Sequence, residues 1–404
     1  VFMNGAEYIA EFLSKIGSKK VFVVTGGACA FIIDAIAQNQ EVDYFPFQHE
    51  QAAAMAAESY FRLTNKPALV NVTSGPGGTN AITGVYGAWT DSLGMIVISG
   101  QVKYETTVRS TGLPLRQYGD QELDIENLIS PITKYSTMVT DPNSIRYHIE
   151  KAFYLSTTGR PGPVVIDIPK DMTAPENLFD YSYPEKADIR SYNPPTNPDK
   201  NQVQRAIEEI MLASRPVIYA GGGAIASNAE EELLQLNEIL DAPVTNTLMG
   251  LGIYPATHER FLGMLGMHGT YQANMAMHNA DLIIAIGARF DDRITNNPSK
   301  FSPDAKVIHL DVDHSSVSKI IEANIAVFGQ VKNSLQAMIE LLNQNLNQYD
   351  KDNLVEWHSQ IAEWKSLHGL NYEMYKDSLE GLTPRKKIRI RSSDGLLSIV
   401  SRKF

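Results

Sequence analysis

Ala68-Leu69-Val70-Asn71-Val72-Thr73-Ser74-Gly75-Pro76-Gly77-Gly78-Thr79-Asn80 sets the architecture of the first 170 residues. Ala68 to Val72 is a short apolar run and reads as a strand buried on both faces. A glycine-rich turn follows it, and a helix of small residues begins beyond the turn. The same order recurs to either side. Ala6 to Ile16 is an amphipathic helix, Val21-Phe22-Val23-Val24 a buried strand ending at Gly26-Gly27, and Phe31 to Ala37 the next helix. Val42 to Phe47 reads as a short strand that leads through Glu50 into the alanine-rich helix ending near Tyr60. Met95 to Ser99 and Pro163 to Ile168 are further Val/Ile strands. Strands of this kind, each followed by a helix, imply a parallel sheet covered on both faces.

Residues 171–200 break the pattern with Pro175, Pro184, Pro194, Pro195 and Pro198, and read as a linker. A second block of the same character occupies 201–346. Gln202 to Ser214 is a helix, and Pro216 to Ala220 a strand running into Gly221-Gly222-Gly223. Ala229 to Leu240 is a helix, Leu282 to Ile286 and Lys306 to Leu310 are strands, and Val331 to Leu346 is a closing helix. The fold class is therefore α/β, with two doubly wound parallel-sheet domains, 1–170 and 201–346. Residues 347–404 are polar and helix-compatible as far as 382, then turn basic at Arg385-Lys386-Lys387-Ile388-Arg389-Ile390-Arg391.

Composition excludes several classes. The 404 residues are 43% hydrophobic and 20% charged, which is globular and not disordered. A net charge of −11 argues against nucleic acid or an anionic membrane as partner. No apolar run approaches the roughly 20 residues that span a bilayer. The start, Val1 to Gly5, has no basic region followed by an apolar core, so no signal peptide is expected. The single cysteine, Cys29, rules out a disulfide framework, fits a cytoplasmic location, and reads as a small buried apolar residue.

Chemistry is expected where strands end. Glu50 sits between a strand and a helix whose inner face is alanine. A buried carboxyl there suits holding or passing a proton at neutral pH; an ordinary first-turn acid favoured by the helix dipole is the alternative. Gly26-Gly27, Gly75 to Gly78, and Gly221 to Gly223 all end strands, where open α/β sheets bind ligands, although each also suits a tight turn. Gly266-Met267-His268-Gly269-Thr270 precedes a strand that ends in Gly287-Ala288-Arg289-Phe290-Asp291-Asp292-Arg293. Its arginines suit a phosphate or a self-satisfied Arg/Asp network. Asp311 or Asp313, ending the next strand, suits ribose hydroxyls. The histidines are scattered and lack metal-ligand spacing, so no metal residues are assigned.

Taken together, His49-Glu50-Gln51, Thr73 to Asn80, Asp91-Ser92, Thr158-Gly159-Arg160-Pro161-Gly162-Pro163, Gly263 to Thr270 and Gly287 to Arg293 stand in an order that resembles acetolactate synthase large subunits, which depend on thiamine diphosphate. The resemblance covers roughly residues 3–345. It implies a pyrimidine-binding domain followed by a central FAD-binding domain. Glu50 matches the glutamate that hydrogen-bonds N1′ of the cofactor, and Gly26 the residue whose carbonyl receives the 4′-amino group. Thr73, Pro76, Asn80 and Gln121 match positions near the pyrimidine or the substrate, Gln121 being grouped with Glu50 as catalytic. Arg160, Gly221, Gly222, Gly223, Thr247, Leu248, Met267, His268, Gly287, Arg289, Asp291, Arg293 and Asp311 match FAD contacts. The implied reaction decarboxylates pyruvate and adds the two-carbon unit to a second 2-keto acid, forming 2-acetolactate for branched-chain amino acid biosynthesis. A homodimer or homotetramer with its site between subunits is implied, as is a small regulatory subunit.

Three departures bear on these expectations. Asp120 replaces the family's aromatic before Gln121-Glu122, which opens the alternative of another acceptor such as a keto-sugar. Val24-Thr25 replaces Tyr-Pro before the paired glycines, and Gln330 replaces an acid after Gly329. The family's Gly-Asp-Gly, which holds Mg²⁺ and the diphosphate, has no counterpart, since Asp394-Gly395 follows Ser393. The diphosphate-binding domain is therefore expected on a companion or intact chain, with this chain inactive alone. A non-catalytic FAD- or nucleotide-binding subunit is the rival reading.

Overall fold

The computed structural model describes residues 2–181, 189, 192–345 and 349–368. The basic run from Arg385 to Arg391 and Asp394-Gly395 lie outside the described residues. The chain divides into two compact units, Val1–Asn193 and Pro194–Phe404.

In the first unit the strands are β1 (Phe2–Met3), β2 (Lys20–Val23), β3 (Asp43–Pro46), β4 (Leu69–Val72), β5 (Met95–Gln101), β6 (Tyr135–Met138), β7 (Pro163–Pro169) and β8 (Phe179–Asp180). The helices are α1 (Gly5–Lys15), α2 (Ala30–Gln38), α3 (Glu50–Thr64), α4 (Pro76–Asp91), α5 (Val108–Thr111), α6 (Ile125–Ile129) and α7 (Ile145–Thr157). Six strands form one parallel sheet in the order β3-β2-β4-β5-β7-β6. One face packs Val21, Leu69, Ile98 and Ile166 against α1, α2 and α7. Its strands β4, β5 and β7 are buried along their whole length, as their predominantly apolar character requires. β3 is instead an exposed edge strand, so Tyr44 and Phe45 are not core, while Val42 just before it is. β1 pairs antiparallel with β8, so the first part of 171–200 lies on this unit.

The second unit has β9 (Pro216–Ala220), β10 (Val244–Asn246), β11 (Phe261–Met264), β12 (Leu282–Ile286), β13 (Lys306–Asp311) and β14 (Ile325–Phe328). Its helices are α8 (Lys200–Leu212), α9 (Gly222–Ala226), α10 (Glu230–Leu240), α11 (Tyr271–Asn279), α12 (Asp292–Thr295), α13 (Val331–Gln344) and α14 (Val355–His368). The sheet is parallel, in the order β11-β10-β9-β12-β13-β14. Apolar cores cover both faces. One includes Leu233, Leu236, Leu335 and Met338; the other includes Ala273, Met277, Trp357 and Ile361. Helix α14 falls in the polar stretch after 346, where the indole of Trp357 donates to the Pro216 carbonyl at 3.2 Å. Both units are thus doubly wound α/β folds.

Candidate functional site

In the first unit the chain runs from β2 to the edge strand β3 and then crosses to β4 on the other side of β2. The carboxyl ends of β2 and β4 therefore flank a switch point, where open α/β sheets form a crevice. Gly26 leaves β2 and Thr73 leaves β4, and they pack so closely that a Cβ on Gly26 would lie 2.4 Å from Cβ of Thr73. Glu50 leaves β3 as the first residue of α3, capped by His49, whose Nδ1 accepts from the Gln51 amide at 3.1 Å. Glu50 is buried, 9% exposed.

Small residues bring α4 against α3. Ala53, Ala54 and Ala57 are buried on α3, as are Gly77, Gly78, Ala81, Gly84 and Ala88 on α4. At that separation Asn80 Nδ2 reaches Glu50 Oε2 at 3.0 Å. Oε1 lies on the side of Gly77, where a Cβ would stand 3.6 Å from it and 2.8 Å from Cγ2 of Thr73. Among the described residues no donor bonds Oε1. The glycine at 77 thus lets backbone close on Thr73 beside a carboxylate with one oxygen left over. The structure brings Gly26, Glu50, Thr73, Pro76 (the first residue of α4) and Asn80 into this one place.

Gln121 joins from a loop. Gly75 has φ +58°, and a Cβ there would sit 3.0 Å from the Gln121 carbonyl oxygen. Asp120 and Gln121 are exposed, while Glu122 closes the loop by accepting from the amides of Val108, Tyr118 (3.0 Å) and Gly119 (3.2 Å). Beneath it, Gln101 Nε2 donates to the Leu123 carbonyl at 2.7 Å and to Asp167 Oδ2 at 2.9 Å. Glu122, Gln101 and Asp167 were not singled out by the sequence. The available signal was an acid inside an otherwise apolar strand, Val164-Val165-Ile166-Asp167-Ile168. Cys29 is 1% exposed, and burial pushes its thiol up to about 11, which suits packing and not nucleophilic attack.

The second unit gathers its residues in the same way. Strand order reverses between β9 and β12, so Gly221 to Gly223 and Gly287 to Arg293 flank a second crevice. Here the glycines serve close packing of loop on loop. A Cβ on Gly221 would fall 2.2 Å from the Gly287 carbonyl oxygen, and Gly287 itself has φ +57°. Thr247 and Leu248 follow β10, Met267 and His268 follow β11, and Asp311 ends β13. All five therefore stand at the carboxyl edge. Thr247 Oγ1 accepts from the Gly250 amide at 2.9 Å. Leu248 and Met267 are exposed, 66% and 60%, which leaves apolar surface at the rim. Arg289 Nη2 is 3.6 Å from Asp291 Oδ2, and Arg293 faces solvent beside Asp292 at 3.9 Å. Asp311 Oδ1 accepts from the Asp313 amide at 2.9 Å, and its Oδ2 is 3.6 Å from Nε2 of the buried His309. Asp313 caps the next turn through Ser315 and Ser316, so Asp311 is the acid of that pair left at the strand end.

Arg160 does not join the Glu50 group. It precedes β7 at the amino end of the first sheet, where its Nε donates to Ser92 Oγ at 2.8 Å at the far end of α4. Among the described residues no group of three or more His, Cys, Asp or Glu is placed to hold a metal ion. No helix among them is long and apolar enough to cross a membrane.

Comparison with known proteins agrees with this layout. Residues 3–128 match the N-terminal TPP binding domain of thiamine pyrophosphate enzymes, and residues 203–338 match the central domain of the same enzymes. The chain is 43% identical over 378 residues to the acetolactate synthase isozyme 3 large subunit of Escherichia coli (strain K12), covering 94% of this chain and 64% of that protein. It is 44% identical over 371 residues to the acetolactate synthase large subunit of Haemophilus influenzae, covering 92% and 63%. A probable acetolactate synthase large subunit of Methanocaldococcus jannaschii is 40% identical over 369 residues, covering 90% and 60%. The chain thus spans a little under two thirds of the length of these curated relatives. It belongs to the thiamine pyrophosphate enzyme family, and within that family it is similar to acetolactate synthase large subunits.

Proposed function

We propose that this chain works in a thiamine diphosphate-dependent carboligase of the acetolactate synthase type. It would decarboxylate pyruvate and add the two-carbon unit to a second 2-keto acid, in branched-chain amino acid biosynthesis. The observation that carries the reading is the buried Glu50 carboxylate. It is fixed by Asn80 on one oxygen and keeps the other unbonded beside Gly77 and Thr73. That donor set suits the polar edge of an aminopyrimidine, and glycine at 77 keeps a side chain from crowding the unbonded oxygen and Thr73. Thiamine diphosphate, when bound, supplies the electron sink for decarboxylation. Glu50 would hold and move the proton at the pyrimidine edge, with Asn80 orienting its carboxylate. Gly26 would offer its carbonyl to the amino group, Thr73 and Pro76 would wall the ring, and Gln121 would face the substrate. The Mg²⁺ that accompanies the diphosphate would be held by residues other than the described ones.

The second crevice suits FAD held without net redox. Its loops approach closely through glycine, its rim offers Leu248 and Met267 to a ring system, and Arg289 and Arg293 suit phosphates. Asp311 suits a ribose. A small regulatory subunit, a cytoplasmic location and a homodimer or homotetramer belong to the same reading. The exposed apolar residues of β3, α3 and α4 are the side offered to a second copy.

The reading is tested in the enzyme that contains this chain, by acetolactate formation from pyruvate with thiamine diphosphate, Mg²⁺ and FAD. Glu50→Gln is expected to lower kcat by about 10²- to 10⁴-fold, the range for a positioned proton-transfer group. An unchanged rate removes Glu50 from the chemistry. The purified protein is expected to be yellow, and Arg289→Ala to lower bound flavin absorbance on dialysis. Full retention of colour removes Arg289 from the flavin site.

A further inference from the structure

Asp167 is the buried acid that the reading above leaves unused. It sits in β7, 1% exposed, with Oδ1 lacking any partner. In register it pairs with Ser99 of β5, which pairs with Val72, the residue before Thr73. Ser99 Oγ in turn lies 3.3 Å from where a Cβ on Gly78 would stand, so this part of the sheet underlies the start of α4. Gln101, also 1% exposed, has every hydrogen-bonding group in use. Its Nε2 donates to the Leu123 carbonyl at 2.7 Å and to Asp167 Oδ2 at 2.9 Å, and its Oε1 accepts from the Val102 amide at 3.0 Å. Leu123 is two residues from Gln121, whose carbonyl rests on Gly75.

We propose that Asp167 and Gln101 are positioning residues, a buried tether that pulls the Gln121 loop down onto the sheet at Gly75. A neutral amide does this at position 101, because one nitrogen must donate to two oxygens on different segments while the oxygen accepts from Val102. A glutamate there would offer an oxygen to two others. At position 167 an acceptor is needed, not a charge. Burial holds the Asp167 carboxyl well above its ordinary range, against the hydrogen bond from Gln101, the neighbouring Ser99 hydroxyl and the charge of Arg109, while Asp124 adds to the rise. A neutral tether spares the sheet a buried anion, which is costly unless paired. Glu122 closes the loop upon itself, and Gln101 joins the closed loop to the scaffold. The functional consequence rests on the reading of Gln121 as a site residue; the tether itself does not.

Hydrogen exchange followed by mass spectrometry on the 404-residue chain tests this without cofactor or substrate, so its outcome is independent of whether Gln121 touches substrate. Gln101→Met keeps the volume and removes the hydrogen bonds. It is expected to speed exchange across 117–124 by roughly tenfold, the scale for losing one or two bonds to a buried group, while 69–72 and 216–220 stay within about twofold. Asp167→Asn, which keeps an acceptor, is expected to leave 117–124 at the wild-type rate, and Asp167→Val to match Gln101→Met. Unchanged loop exchange in Gln101→Met overturns the tether, as does an equal rise through the whole first sheet. If Gln101→Met does not fold, the Asp167 pair decides, and equal behaviour of Asn and Val overturns the proposal.

Discussion

At the scale of single residues, Asp167 ties protonation to stability. Burial raises its carboxyl to about 8 in the folded protein. In the unfolded chain an aspartate releases its proton near a pH of roughly 3.9. Between those values the folded state holds a proton that the unfolded state has lost. The contribution is therefore fully present below the unfolded value and is lost as pH rises through the folded one. Asparagine cannot ionise and so escapes this loss. Asp167→Asn is expected to melt close to wild type below pH 4, increasingly above it between pH 4 and about 8, and by a constant margin beyond. Melting temperatures by circular dichroism across that range provide the check, and a pH-independent difference would show that Asp167 does not titrate with folding. Glu50 differs from Asp167 in its surroundings. One of its oxygens is bonded by Asn80 and the other lies unbonded beside Gly77 at the strand ends, whereas the open oxygen of Asp167 is sealed inside the sheet.

At the scale of elements, α3 and α4 show two opposing effects of glycine. Exchanging glycine for alanine inside a helix stabilises it by about 1 kcal/mol on propensity alone. At Gly84 the new Cβ would lie 2.4 Å from Cβ of Ala54 and 3.0 Å from its backbone carbon, and backbone cannot swing aside. Overpacking of that kind costs about 1–3 kcal/mol, so Gly84→Ala is expected to be net destabilising in urea titration. At Gly87, three residues on, the Cβ would meet only the carboxyl end of Glu58 at 2.8 Å, which can move. Gly87→Ala is therefore expected to be neutral or stabilising, and a loss equal to that at Gly84 would show that helix separation is not the constraint. The same elements mark what was legible. Strands β4, β5, β7, β9 and β12 stand out because each is buried throughout and so mostly apolar. Tyr135–Met138 escaped notice because it is a half-buried edge strand with serine and threonine in it, and Val244–Asn246 because three residues carry no period. Within the site, the glycine turns and Glu50 were visible as strand-end residues. The Gln101–Asp167 bond was not, because it joins strands 66 positions apart and needs the sheet order to appear.

At the scale of the whole molecule, the unexplained surface is apolar. Tyr44 and Phe45 on β3, Met55 and Leu63 on α3, and Tyr86 and Trp89 on α4 are each between 39% and 87% exposed. They lie on the two helices that carry Glu50 and Asn80 and on the strand that leads into the first of them. Edge strands left open invite pairing and are normally blunted by charge or covered. β3 carries Asp43 and little else of that kind. Large exposed apolar surface on a soluble fold marks an interaction site, and a two-fold homodimer covers one patch with its own copy. The chain is acidic overall, at −11, so desolvation of apolar side chains and not long-range charge attraction would have to drive the self-association. Sedimentation equilibrium is expected to give at least twice the 44.7 kDa of the chain. Met55→Glu with Tyr86→Glu places charge on two exposed helical positions, where substitutions ordinarily change folding stability by less than about 0.5 kcal/mol. The double variant is expected to sediment at the mass of one chain with wild-type circular dichroism. A variant that folds and keeps the wild-type mass would place the interface elsewhere, and a monomeric wild type would leave these residues without a second copy to cover them.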